Sequence, residues 1–399
     1  EAGGQYIQNF YDNIIGLNRT ETSALANLNH GIEADTNQTV NIGTIVAAGN
    51  VISGNTGYGI HFKAGNSQIS YNTIGLNSTE TTAFPNGMGG LFMTGGGNTL
   101  GASNTPSTGN IISGNNGNGI TLAGALSTTI GDNKIGINNA YQSFPNAGHG
   151  IYLTNPASGN QIGGTPMNLV GSNVIANNDL AGIFIEGTNS IGNAILYNEI
   201  YNNGDLGIDL APSGVNPNDS GDGDSGPNDL LNYIEITSVS NNLSDLDINF
   251  TVDAPANDYL VIFFDNPTYG ADPSDHGEGE EVLGEYQILG HAGVTAYSIS
   301  LSGKAVGNPN LVSATLTEGQ PGNFGSTSEF SETGVACITL PTAGMTLDVS
   351  AGIVCYSENG QATLTGSLPN GSYTITYDLS VPNLATGLTA SLTVSNGTG

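Results

Sequence analysis

Basic residues are nearly absent: Arg19, Lys63, Lys134 and Lys304 face 34 acidic residues in 399, a formal net charge of -30. Such a surface cannot neutralise phosphates or hold anionic lipid, so nucleic acid and the membrane surface are excluded as partners. No apolar run approaches the roughly 18 residues a bilayer-spanning helix needs, and Glu1 opens without a charged leader, so the chain reads as mature or as cut from something larger. Tryptophan is missing and cysteine is limited to Cys337 and Cys355. A pair in an otherwise cysteine-free acidic chain fits one local disulfide and an oxidising, extracellular setting better than a metal site. The five histidines (30, 61, 149, 276 and 291) form no short metal-ligand spacing. Charged residues make up only 10% and hydrophobic ones 37%, so the signature of disorder is incomplete. What fills the chain is glycine (60 residues), asparagine, serine and threonine, the composition of many short strands and tight turns.

A glycine followed by an aliphatic residue recurs at Gly31, Gly59, Gly90, Gly119, Gly150, Gly182 and Gly207, at steps of 28, 31, 29, 31, 32 and 25 residues. Each is followed by two further strand-length signals, such as Ile69 then Asn72-Thr-Ile74, or Ile130 then Asn133-Lys-Ile135. A second layer repeats near 60 residues: Asn50-Val-Ile-Ser-Gly-Asn55 returns as Asn110-Ile-Ile-Ser-Gly-Asn115, and Phe84-Pro-Asn86 as Phe144-Pro-Asn146. Three short period-2 pieces per repeat exclude helical solenoids and predict a right-handed parallel β-helix of about seven turns over residues 1–212, roughly 30 to 35 Å long. Corner asparagines are expected to hydrogen-bond one another along the axis.

After each glycine the first and third residues are apolar and point inward, which sends the second and fourth outward. The first outward row is Glu33, His61, Phe92, Thr121, Tyr152, Phe184, Asp209, and the second is Asp35, Lys63, Thr94, Ala123, Thr154, Glu186, Ala211. Phe92, Tyr152 and Phe184 form an interrupted aromatic stripe suited to stacking on polysaccharide, unless corner loops fold over it. No convincing catalytic cluster emerges. Glu33 and Glu186 are five strands apart, about 24 Å, too far to cooperate in glycoside hydrolysis. Glu186 and Asp209 are one turn apart with no base beside them, and His61 and Lys63 read as part of a solvated charge ladder with Glu33 and Asp35.

The period stops after Leu210. Residues 213–229 read as an acidic junction in which Asp219, Asp222 and Asp224, with Asn228 and the earlier Asp209, offer hard oxygen ligands for a structural Ca²⁺. The alternating runs of residues 230–334 predict an immunoglobulin-like β-sandwich, and 335–399 a second such module, incomplete at its end. Asp272, Asp275, Glu278, Glu280 and Glu281 crowd a second acidic loop.

The Asn-Val-Ile-Ser-Gly-Asn and Gly-Ile repeats, Ile162-Gly-Gly-Thr165 and Gly207-Ile-Asp-Leu210 resemble the right-handed parallel β-helix repeats of large bacterial secreted proteins. Phe263-Phe-Asp-Asn266 and Ser328-Glu-Phe-Ser331 are similar to the sandwich that follows them, and Leu368-Pro-Asn-Gly-Ser-Tyr-Thr-Ile-Thr-Tyr377 resembles tandem immunoglobulin-like repeats of Bacteroidota surface adhesins exported by type IX secretion, some serving gliding motility. The resemblance implies a non-catalytic cell-surface adhesin or fibre stalk carrying further tandem modules, able to self-associate, with a surface polysaccharide or another cell-surface ligand as partner. The alternatives are a polysaccharide lyase or glycoside hydrolase, or a carbohydrate-binding module, using the outward face of the rod.

Overall fold

The computed structural model describes residues 7–35, 39–43, 49–101, 109–154, 156–164, 171–272 and 274–333, and beyond them the backbone of four strands. From residue 7 to Leu210 the chain winds as a parallel β-helix with three faces, each a seven-stranded parallel sheet. The first face runs from Ile7–Phe10 to Ala194–Leu196, the second from Ile14–Ile15 to Glu199–Tyr201, and the third from Ile32–Ala34 to Ile208–Leu210. On the third face Ile32, Ile60, Leu91, Ile120, Ile151, Ile183 and Ile208 stand in register as one inward row.

The repeating glycines sit where the third face begins. A Cβ built at Gly59 would lie 2.9 Å from the Gly90 carbonyl oxygen, and one at Gly119 would lie 2.6 Å from that of Gly150. Neighbouring turns therefore approach more closely there than any side chain permits. At Gly207, where no further turn follows, the atom met is a ring carbon of Phe330.

Three asparagine ladders hold the corners. Between the first and second faces, Asn50, Asn72, Asn110, Asn133, Asn173 and Asn198 pass side-chain amide bonds of 2.8 to 3.0 Å from turn to turn. Between the second and third, Asn55, Asn86, Asn115, Asn146, Asn178 and Asn203 do the same at 2.9 Å. The third ladder, Asn160 to Asn193, ends on Asn228. Long corner loops occur on the first, third and fifth turns, bridged by Leu17 with Ala24, Leu76 with Ala83, and Ile137 with Ser143. Glu21 accepts from Ser78 N at 2.5 Å and Glu80 from Asn139 N at 2.8 Å, so these loops stack on one another along the rod.

Residues 231–333 contribute one five-stranded antiparallel sheet, in which Asp245–Asp265 and Glu281–Leu301 pair along their length. The pair slips register between Ala254 and Tyr259 and the sheet folds over, bringing Phe250 to within 5.5 Å of Phe263. Over the segment expected to be a separate sandwich, the strand Tyr259–Phe264 is buried on both sides. Tyr259, Val261 and Phe263 fill the sheet's own core, while Leu260, Ile262 and Phe264 join the rod core with Phe330. This sheet is thus the lid of the rod. Its residues satisfy the last turn's open edges: Thr327 Oγ1 accepts from Ile195 N at 2.9 Å, Gly279 O from Ile200 N at 2.8 Å, and Glu329 Oε1 from Leu210 N at 3.0 Å. Unpaired parallel edges would otherwise invite another chain.

Of the last module, the described backbone comprises two antiparallel pairs, Cys337–Ile338 with Val354–Cys355 and Gly371–Leu379 with Ala385–Val394. The register sets Cys337 opposite Cys355. The rest of the module expected over 335–399 lies outside the described residues.

Candidate functional site

The outward row of the third face assembles in the order read from the sequence, Glu33, His61, Phe92, Thr121, Tyr152, Phe184, Asp209. Strand stacking turns it into two clusters with the smaller Asn118 and Thr121 between them. In the first, Tyr58 lies 5.0 Å from the Phe92 ring and His61 lies 4.5 Å from His30 and 5.3 Å from Phe92. Lys63 Nζ reaches Glu33 Oε1 at 2.9 Å and Asp35 Oδ1 at 3.4 Å, and His61 Nδ1 lies 3.6 Å from the same Glu33 oxygen. The Lys63 hydrogen bond holds the Glu33 carboxyl below its ordinary range. Burial, followed by the nearby His30 and Lys63, holds the His61 imidazole below its own. At neutral pH the histidine is therefore uncharged beside an ionised carboxylate, able to accept a proton.

In the second cluster His149 stacks on Phe184 at 4.7 Å and 10°, and Tyr152 stacks on Phe184 at 5.7 Å. The Tyr152 hydroxyl donates to Glu186 Oε1, which also accepts from Thr154 Oγ1 at 2.8 Å. Burial and then Glu186 raise the Tyr152 phenol, so it stays a donor. A fixed carboxylate beside a half-buried ring platform matches the two faces of a sugar, with hydroxyls at the edge and C–H groups over the ring. Phe92, Tyr152 and Phe184 are half-buried and packed against neighbouring rings.

His30, Tyr58 and His149 escaped the sequence reading. Strict alternation points the residue before each glycine inward, but the chain turns at the glycine and the ring lies outside. Their signal is an aromatic or histidine immediately before Gly-Ile.

Asp209 does not join Glu186. It is fully buried and accepts from Ser213 Oγ at 3.0 Å and Gly214 N at 3.2 Å, which excludes it both as half of an inverting pair and as a junction ligand. Asn228 is likewise removed from the ligand set, because its amide is the last rung of the third ladder, accepting from Asn193 N at 3.0 Å and donating to Thr327 O at 2.9 Å. Asp219, Asp222 and Asp224 do converge, with carboxylate oxygens within 4.8 Å of one another. Burial first, then Asp224 and Asp219, push Asp222 up to about 6. Three mutually repelling carboxylates on a glycine-bearing loop suit a hard divalent cation.

Residues 30–218 match the family described as "right handed beta helix region". No curated protein matches the chain. Among solved structures it is similar to the enzymatically active domain of tailspike protein 2 of bacteriophage CBA120, at 11% identity and TM-score 0.25, over 84% of this chain and 56% of that one. The chain thus spans little more than half the length of that protein. The rod is a right-handed parallel β-helix. The expectation of a chain without catalysis is corrected on the geometry: the supposed solvated ladder sets His61 Nδ1 3.6 Å from Glu33 Oε1 and packs the imidazole against the His30 and Phe92 rings. The name of the solved protein it is similar to is that of an enzymatically active domain.

Proposed function

We propose that this protein is an extracellular polysaccharide-acting enzyme whose substrate lies along the third face of the rod. The observation that carries this reading is the pair of ring-and-carboxylate clusters in one outward row. Phe92 and Phe184 stand three strands apart, about 14 Å, so they grip one extended chain at two places. His61, oriented by Glu33, would take a proton from the water that attacks the anomeric carbon as the glycosidic bond breaks, the leaving oxygen taking its proton from solvent, while Tyr152, Phe184 and Glu186 hold the chain beyond the cleaved bond. A net charge of -30, with Lys63 already paired by two carboxylates, favours a neutral polysaccharide over a uronate-rich one.

The test is release of new chain ends from a panel of neutral and acidic surface polysaccharides. His61→Ala and Glu33→Gln are expected to lower turnover by about 100-fold or more with affinity retained. A Phe92, Tyr152 and Phe184 triple alanine variant is expected to lose affinity. The acid limb of turnover should fall below 6.5, the ordinary imidazole value, because His61 is held down. Cleavage at the wild-type rate by both His61→Ala and Glu33→Gln would move the chemistry elsewhere, and a panel left uncut and unbound would end the reading.

The calcium expected at the junction stands as a proposal on Asp219, Asp222 and Asp224 alone. Removing it with a chelator is expected to lower the melting temperature, by an amount equivalent to about 2.7 kcal/mol at a hundredfold excess of Ca²⁺ over its Kd. An Asp222→Asn variant should already melt at the lower temperature and ignore the chelator. A melting curve that no chelator moves would refute the site.

A further inference from the structure

The lid meets the rod along the first face and leaves a cavity of about 590 Å³ between them. Its floor is rod: Asn160 and Gln161 on one turn, Ala194 and Leu196 on the next. Its roof is the lid hairpin through Pro321 and Phe324, pinned where Ser326 Oγ accepts from Gly192 N at 2.9 Å and Thr327 Oγ1 from Ile195 N. Glu285 enters from the lid's long strand, and the buried Tyr197 hydroxyl donates to its Oε2, fixing the carboxylate and leaving Oε1 to accept from a guest.

The volume lies in the range of small-molecule sites, which favour seams of this kind between packed units. The walls are of two kinds. Phe324, Pro321, Leu196 and Ala194 offer an apolar surface, whereas Glu285, Gln161 and Asn323 offer hydrogen-bonding groups. No Lys, Arg or His is among the residues lining it, and its one charge is negative, so phosphate, sulfate and carboxylate guests are repelled. A guest that stacks C–H groups on Phe324 while donating hydroxyls to a carboxylate and an amide is a neutral sugar. The floor is also unfilled at Gly159 and Gly192, where an added Cβ would meet nothing closer than 3.9 Å, unlike the glycines buried between turns.

We propose that this cavity is a second carbohydrate site, sized for a neutral mono- or disaccharide and independent of the third-face ledge. Its occupant touches rod and lid together, so binding also ties the lid down.

The experiment titrates the whole chain with maltose, cellobiose, lactose and N,N′-diacetylchitobiose, followed by calorimetry and saturation-transfer NMR. Gly192→Asn places a side chain in the cavity at a φ of +67°, which asparagine tolerates. Glu285→Ala removes the acceptor together with the partner of the rod's Tyr197 hydroxyl, whereas Gly192→Asn leaves that bond in place. At least one sugar is expected to bind the wild type and to lose about tenfold or more in affinity in both variants. The Phe92, Tyr152 and Phe184 triple variant should keep that affinity, which separates this site from the ledge. The site is overturned if none of the four sugars binds, if both cavity variants bind as the wild type does, or if affinity disappears only in the ledge variant.

Discussion

Acidifying the protein from pH 8 to pH 5 is expected to stabilise it, contrary to the usual behaviour of a domain rich in paired carboxylates. Glu278 and Glu329, 4% and 2% exposed, bridge the lid to the last turn of the rod. Glu278 accepts from Asn202 N at 2.5 Å and Asn203 N at 3.3 Å, and Glu329 from Leu210 N and Asn216 N at 3.0 Å each. Those bonds favour the charged form, but burial outweighs them and pushes both carboxyls up to about 7 from the ordinary 4.5. The native state therefore binds more protons than the unfolded chain between pH 4.5 and 7. The stabilisation is full below about 4.5 and lost as pH rises through about 7. Each group accounts for about 3 kcal/mol at most, and relief of self-repulsion across the acidic surface acts in the same direction. Melting temperature against pH should slope downward over this window, and the Glu329→Gln slope should be visibly flatter. An unchanged slope in Glu278→Gln and Glu329→Gln together would remove the lid carboxylates as its cause.

The second large effect belongs to the middle of the first asparagine ladder. Asn133 Oδ1 accepts from Asn110 N and Nδ2 at 3.0 and 2.9 Å, while its amide donates to Leu100 O, Gly131 O and Asn173 Oδ1. Truncation to alanine leaves several buried groups unpaired at once, each costing about 1 to 3 kcal/mol. A loss of about 4 kcal/mol in urea unfolding is expected for Asn133→Ala, against about 0.5 kcal/mol or less for Asn189→Ala on an exposed turn. Equal losses at the two positions would show that the ladder is not what holds the corner.

The rod was readable because its rules are local and repeated. Gly-Ile marks a close approach between turns, alternating aliphatics mark the inward row, and Asn marks each corner. The lid was less readable for a reason visible in Tyr259-Leu-Val-Ile-Phe-Phe264. A strand buried on one face alternates apolar with polar residues, whereas this run is apolar throughout. Turn signals on either side make it read as a strand of an independent module, yet continuous apolarity is what a strand between two cores requires. The same non-local geometry hid Glu278 and Glu329, because the N–H groups they accept from lie 76 and 119 residues away in sequence. The cavity below Phe324 is assembled from segments more than a hundred residues apart, and no spacing pattern announces it.

The stacked corner loops set how this rod can change in length. Glu21 and Glu80 reach loops two turns away, and equivalent loop residues Leu17, Leu76 and Ile137 recur at 59 and 61 residues. Among the described residues the lid's hydrogen bonds to the rod go to its final turn. A duplication or deletion of one turn would set a long corner over a short one and strand these glutamates, whereas a block of about 60 residues would enter or leave with every loop still facing its mate. The fold thus has a natural quantum of growth, a pair of turns, and chains differing from this one in reach are expected to differ by whole pairs.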